Sequence, residues 1–459
     1  MDGLMDEKQI LFEQKPVPRA VIQLALPTVL SSLVMVLYNL ADTYFVGMLD
    51  DPIQNAAVTL AAPVMLAFSA VTNLFGAGSS SVMSRAMGRH AYETARRTSA
   101  FGLYCALACG LLFSIACLLF QRPLLALLGA DDTTIGATLS YMRWTVFYGA
   151  APSIFNVVAA YLVRAEGETL HASIGTMSGC VLNMVLDPIF VLPWGFGLGA
   201  AGAGFATFFS NCVASLYFVL FIYRKRGHTL VCLTPKKVVL HSLIVRSIFQ
   251  VGVPAAIQNL LNVTGMTILN NLVSGYGANA IAAMGICSKI NTFPVDMALG
   301  FTEGVLPLIS YNYASRNFPR MKETILFSGK LLTAVMCVIA AVLFLFPGVF
   351  VSLFMENQEV VAYGSRILRG YALALPFLRM DFFTVGIFQS VGMGRETFFF
   401  AVARKLLLEI PAMFLLNTLF PLYGLAYAQL TAEVIMAAIS LVMLRRLFRQ
   451  LNSKFQGVG

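Results

Sequence analysis

The chain has 459 residues, 58% of them hydrophobic and only 12% charged, with a mean hydropathy of +0.78. Soluble domains carry roughly 25% charged residues, so half that density excludes a water-soluble globule, and the apolar content excludes a disordered chain. The net charge of +9 lacks the clustered basic face of a nucleic-acid surface, so no nucleic-acid partner is expected; the composition is that of an integral membrane protein partnered by the lipid bilayer.

A helix crosses the ~30 Å hydrocarbon layer with roughly 20 apolar residues. Twelve stretches qualify: 21–47, 56–83, 98–120, 136–163, 172–194, 199–223, 248–274, 280–312, 328–350, 361–392, 397–420 and 424–444. They lack the alternation of barrel strands, so the expected fold is all-α with twelve transmembrane helices. Breaks fall at Asp50-Asp51, Gly129, Gly167, Gly275, Pro319 and Pro421, residues that punctuate elements. Residues 1–20 are polar and of mixed charge, and the first apolar run is long enough to span. They read as a cytoplasmic segment before an uncleaved anchor, not as a signal peptide.

Basic residues give the orientation. Arg85, Arg89, Arg96 and Arg97 follow span 2, Arg164 and His171 follow span 4, and Arg224, Lys225, Arg226, Lys236 and Lys237 follow span 6. Arg316, Arg320 and Lys322 follow span 8, and Arg395, Arg404 and Lys405 follow span 10. A tail over 445–459 holds Arg445, Arg446, Arg449 and Lys454. The odd-numbered loops carry Asp50, Asp51, Asp131, Asp132, Glu356 and Glu359, with Arg122 the exception. The positive-inside rule then expects both termini in the cytoplasm. Seven of the eight Cys fall inside spans and none forms a CxxC pair, so neither disulfide nor zinc is implied.

The second half repeats the first. Leu26-Pro27 matches Val253-Pro254, Arg89 matches Arg316, and Gly167 matches Gly394, each at an offset of 227. The expected division is an N-lobe over 21–223, a cytoplasmic linker over 224–247 and a C-lobe over 248–444. Six spans per repeat restore the starting side, so the repeats are parallel, related by an axis along the membrane normal, as in secondary transporters with alternating access. No GxxxxGK[ST], HExxH or GxSxG occurs, so no enzyme is expected. Gly197-Leu-Gly199-Ala-Ala-Gly202 fits GxGxxG, but it joins two membrane spans and reads as a tight turn with close helix packing.

Ionisable groups inside a bilayer are costly, which makes each a functional candidate. Asp42 lies late in span 1 and Asp187 late in span 5, at similar depth; Asn183 shares a helix face with Asp187, and Thr207 lies early in span 6 at a compatible depth. These hard oxygen ligands suit Na⁺ or a shared proton, or hydrogen bonds that hold the helices together. The second half breaks the symmetry, since Asp42 corresponds to Leu269 and Asp187 only loosely to Glu409. It has instead Asn262, Lys289, Asp296, Glu303, Arg379 and Asp381. Residues 289, 296 and 303 recur every seven and share a face, where they line a cavity or form a neutralising lock. Thirty-six Phe and twenty-one Met suit deformable walls for varied ligands, or simply face lipid.

The stretches Asn39-Leu-Ala-Asp42-Thr-Tyr-Phe-Val-Gly47, Leu182-Asn183-Met-Val-Leu-Asp187-Pro188 and Gly199-Ala-Ala-Gly-Ala-Gly-Phe-Ala-Thr207 resemble the multidrug and toxin extrusion (MATE) family, most of all its bacterial type. The resemblance covers the whole chain. It implies efflux of a drug-like, cationic amphiphilic substrate from a bacterial cytoplasmic membrane, coupled to inward Na⁺ or H⁺, by a monomer with no further cofactor. It also implies that Asp42, Asn183, Asp187 and Thr207 form the N-lobe cation site. Another branch carries an acid in span 7 where this chain has Asn262, and its span-10 acid falls at or within a residue of Asp381. The rivals are a lipid-linked precursor flippase, which would want a cationic cavity, and a non-transporting receptor or enzyme.

Overall fold

The computed structural model describes residues 8–49, 51–127, 130, 132–238 and 241–456. Residues 1–7 and 457–459, Asp50, Gly129 and Asp131 lie outside the described residues, as does the Lys454 side chain. All twelve expected spans are helical. They are α1 (Val17–Gly47), α2 (Pro52–Gly88), α3 (Tyr92–Leu119), α4 (Ile135–Ala165), α5 (Thr169–Val191) and α6 (Ala200–Arg224). The second six are α7 (Ser242–Ser274), α8 (Ala278–Ala314), α9 (Phe318–Leu345), α10 (Gln358–Val391), α11 (Gly394–Leu419) and α12 (Tyr423–Gln456). This is an all-α membrane protein.

Local chemistry explains the ends. The Asp51 side chain accepts from the Ile53 N–H and Pro52 opens α2, satisfying a first-turn donor where a missing N–H costs nothing. Asn357 accepts from the Glu359 and Val360 N–H groups at the start of α10. That helix ends at Gly392 with φ 82°, the left-handed position that glycine fills without strain. Nine of the twelve are long and apolar enough to cross a bilayer unaided, and α4 joins them as a pair bent by 51°. Its bend follows a π turn over Arg143–Tyr148, a recognised cause of helix kinks. The other two are α8, diluted by Lys289, Asp296 and Glu303, and α11, interrupted by a π turn over Ala403–Glu409.

The helices form two compact units. Unit 1 is Met1–Leu11 with Leu30–Ala256, and unit 2 is Phe12–Val29 with Ile257–Gly459. The division cuts α1 after Val29 and α7 after Ala256, and 256 − 29 = 227, the offset of the sequence repeat. Each repeat therefore places the start of its first helix in the unit built mainly by the other. The boundaries at 223 and 248, drawn from hydropathy, fall at the end of α6 and within the first turns of α7, whereas packing divides α1 and α7. Glycines mark these crossings. In unit 2 a Cβ on Gly304 of α8 would lie 2.7 Å from the Ala25 Cα of α1, and in unit 1 a Cβ on Gly252 of α7 would lie 2.0 Å from the Leu74 carbonyl oxygen of α2. Backbones approach this closely only where no side chain intervenes.

Candidate cation site

In unit 1 the second half of α1, the first part of α4, the end of α5 and the start of α6 converge. Asn183 and Asp187 are one turn apart on α5 and both are buried, at 2% and 0% exposure. Pairing donors with acceptors, the Asn183 Nδ2 donates to Asp187 Oδ2 at 2.7 Å, and its carbonyl accepts from the Thr207 hydroxyl at 3.2 Å. Thr207 thus joins α6 to α5 through the amide. Asp42 of α1 is close enough to Asp187 for the two charges to interact. The four residues expected to meet do so within one unit.

Two tyrosines complete the cluster. The Tyr38 hydroxyl reaches Thr207 and lies within electrostatic range of Asp42 and Asp187; Tyr141 of α4 lies within range of both acids. Tyr38 precedes Asp42 by one helical turn, a spacing visible in the sequence, whereas nothing in the sequence singles out Tyr141 from the other membrane aromatics. Among the described residues no Lys, Arg or His forms an ion pair with Asp42 or Asp187. Two acids with no ion-pair partner among the described residues thus stand beside hydroxyls and an amide, hard oxygen groups of the kind that suit a small cation.

The polar residues of the second repeat do not gather in the same way. Lys289 is exposed and Asn262 and Arg379 are partly exposed, while Asp296 and Glu303 interact with one another along α8. Arg379 lies alongside α9, 3.5 Å from where a Cβ on Gly329 would sit. Asp381 is buried and faces Arg404 of α11, with Nε 3.4 Å from Oδ2. That contact corrects the reading of Arg404 and Lys405 as loop charges after span 10. Both lie inside α11, in its π turn, and Arg404 is 5% exposed. A count of basic residues near apolar boundaries does not distinguish a base in a loop from one folded inward on a buried acid.

The MatE family profile matches residues 27–189 and again 254–415, two stretches whose starts differ by 227, the offset of the repeat. The chain belongs to the MatE family. It is 32% identical over 446 residues to the multidrug export protein MepA of Staphylococcus aureus (strain MRSA252), covering 96% of this chain and 97% of that one. It is 31% identical over 450 residues to MepA of Staphylococcus haemolyticus (strain JCSC1435), covering 98% of each. Among solved structures, a MATE protein in complex with MaL6 superposes with a TM-score of 0.91 at 25% identity, over 99% of this chain and 100% of the other. An outward-facing multidrug resistance MATE transporter of the MOP superfamily gives 0.89 at 25% identity over 99% of each. As a MatE protein the chain is a multi-pass membrane protein, and the two matched stretches run from within α1 to α5 and from within α7 to α11.

Proposed function

We propose that this MatE protein exports drug-like cationic amphiphiles across a bacterial cytoplasmic membrane in exchange for inward Na⁺ or H⁺. The observation that carries this reading is the pairing of Asp42 with Asp187 in unit 1 with no basic partner among the described residues. Two carboxylates of like charge within the bilayer, Asp187 buried and Asp42 half-buried, need a cation to neutralise them, and the monovalent cations with standing inward gradients are Na⁺ and H⁺. Export of drugs is the activity named for the two MepA relatives, and the loop arginines favour cytoplasmic termini.

The cycle follows from linkage. A cation entering from outside neutralises Asp42 and Asp187, relieves their repulsion and draws α1 toward α5 and α6. Because α1 contains Pro27, it has a point at which the i→i−4 ladder is already open and bending costs least. Drug bound from the cytoplasm favours the cation-free arrangement, and the two ligands weaken each other by the same factor. The test is uptake of a fluorescent lipophilic cation into proteoliposomes driven by a Na⁺ gradient alone and then by a pH gradient alone. Wild-type protein responds to one of the two and Asp42→Asn to neither; gradient-driven transport by Asp42→Asn at the wild-type rate refutes the reading.

A further inference from the structure

The first half of α10 carries two arginines where the positive-inside rule expects none. Arg366 and Arg369 are one turn apart and both exposed, and they lie inside the apolar stretch 361–392, toward the end away from the basic loop that follows it. At 1.5 Å per residue that stretch runs about 48 Å against a hydrocarbon core of about 30 Å, so about 9 Å, or six residues, overhangs at each end. Arg366 and Arg369 therefore sit where the hydrocarbon begins, the level of lipid phosphates.

Among the candidate spans α10 is the most enclosed, and beyond its first turn only Ala362, Arg366, Arg369, Leu373 and Phe377 are exposed. Steps of three and four place them on one face: charge at the boundary, apolar side chains below it. The guanidiniums are held from either side. Arg369 Cζ stands 5.8 Å from the Phe344 ring at the end of α9, and its Nε donates to the Phe344 carbonyl at 3.3 Å. Arg366 Cζ stands 5.3 Å from the Tyr423 ring at the start of α12, and its Nη1 donates to the Tyr423 hydroxyl at 3.4 Å.

These contacts supply no negative charge. Neither arginine forms an ion pair with Asp or Glu among the described residues, and Glu359, two turns before Arg366, accepts from the Asn279 side chain of α8 at 2.5 Å. Like charges one turn apart repel, and a cation at an apolar boundary is costly. A lone arginine escapes by extending into water; this pair is fixed against two rings, so an anion is what relieves it. Paired phosphate oxygens match the guanidinium fork, and Leu373 and Phe377 continue the face into the level of acyl chains. A zwitterionic headgroup would bring an ammonium against the same two charges.

We propose that the face of α10 between α9 and α12 binds an anionic phospholipid, with its phosphate diester between Arg366 and Arg369 and its acyl chains on Leu373 and Phe377. The site lies within unit 2 and does not depend on what the chain exports.

The test places one indole on that face, as Phe377→Trp in a Trp144→Phe/Trp194→Phe background. The protein is reconstituted in phosphatidylcholine with rising fractions of phosphatidylglycerol carrying dibrominated chains, and quenching gives the relative binding constant of the two lipids. Phosphatidylglycerol is favoured about tenfold, and the preference falls to about one in Arg366→Gln/Arg369→Gln but not in Arg445→Gln/Arg446→Gln. No preference in the parent, or an equal loss in both pairs of variants, overturns the proposal. Relief of quenching by excess inorganic phosphate would mean that the arginines bind free phosphate, which overturns the assignment to a lipid. Native mass spectrometry of the chain with its own tryptophans gives a second readout: a first phosphatidylglycerol is retained by wild-type protein and lost by Arg366→Gln/Arg369→Gln at the same collision energy, and equal retention overturns the site.

Discussion

Glu166 is the acid whose removal has the most calculable effect on stability. It follows the last residue of α4 and is fully buried, at 0% exposure. The chain turns away from it through Gly167, whose φ of 90° suits a residue without Cβ. Its carboxylate accepts from Lys8 Nζ at 3.0 Å, from the Thr229 hydroxyl at 2.8 Å and from the Leu230 N–H at 2.8 Å. One acid thereby fastens the chain before α1 and the loop after α6 to the body of unit 1. Ser99 and Tyr104 of α3 continue the attachment, through the Leu230 carbonyl at 3.0 Å and the Leu233 carbonyl at 2.6 Å.

Replacing Lys8 by Met leaves a buried carboxylate with two donors and no counter-charge. Breaking one side of a buried pair costs about 3–5 kcal/mol, and the retained donors place this case near 3 kcal/mol. Glu166→Gln leaves the ammonium without its partner, but the Lys8 stem is long enough to carry it to water, so about 1–2 kcal/mol is expected. The double variant buries no charge and loses about 1 kcal/mol. A double-mutant cycle on unfolding in mixed micelles should therefore give a favourable coupling of about 3 kcal/mol. Trypsin should cleave the loop between Lys225 and Lys237 faster in Lys8→Met than in the double variant. If the double variant loses as much as the two single variants together, with coupling below about 0.5 kcal/mol, the pair does not hold the loop.

Three further outcomes are expected. Tyr38→Phe removes the hydroxyl shared with Thr207, worth about 1 kcal/mol, and should raise the cation concentration for half-maximal transport about fivefold; an unchanged value places the hydroxyl outside the site. Gly252→Ala sets a Cβ 2.0 Å from the Leu74 carbonyl oxygen and should abolish the yield of folded protein in detergent. Gly47→Ala, with nothing within 4 Å of its Cβ, should leave that yield unaltered. Asn357→Ala removes the acceptor for two N–H groups at the start of α10 and should cost about 1 kcal/mol, whereas Asn357→Asp should retain most of it.

The twelve helices were legible because a bilayer imposes a minimum apolar length that no other element shares. The acids of unit 1 were legible for a related reason: a carboxylate there is rare enough to notice, and helical spacing places Asn183 beside Asp187. Tyr141 was not, since a tyrosine among membrane aromatics is ordinary until it is seen within range of an acid, and Tyr38 showed only its one-turn spacing from Asp42. Arg404 was misplaced because apolar boundaries are diffuse and a base near one resembles a loop base. The split of α1 after Val29 and of α7 after Ala256 lies beyond hydropathy altogether. Both halves of each helix are apolar, and only packing at Gly252 and Gly304 assigns them.

The duplication has been used for two different electrostatic solutions. At the common offset the helix carrying Asp42 in the first repeat carries Leu269 in the second, and the helix carrying Asp187 corresponds to the one carrying Arg404, Lys405 and Glu409. At the Asp42–Asp187 pair of unit 1 no basic side chain forms an ion pair among the described residues. Unit 2 sets two bases, Arg404 and Lys405, against Asp381, Glu409 and Glu433. A scaffold repeated for its packing thus leaves each half free to carry its own polar residues, because the offset preserves the span lengths but not the ionisable side chains, nor even the crossing glycines, Gly252 and Gly304 corresponding to Ala25 and Ala77.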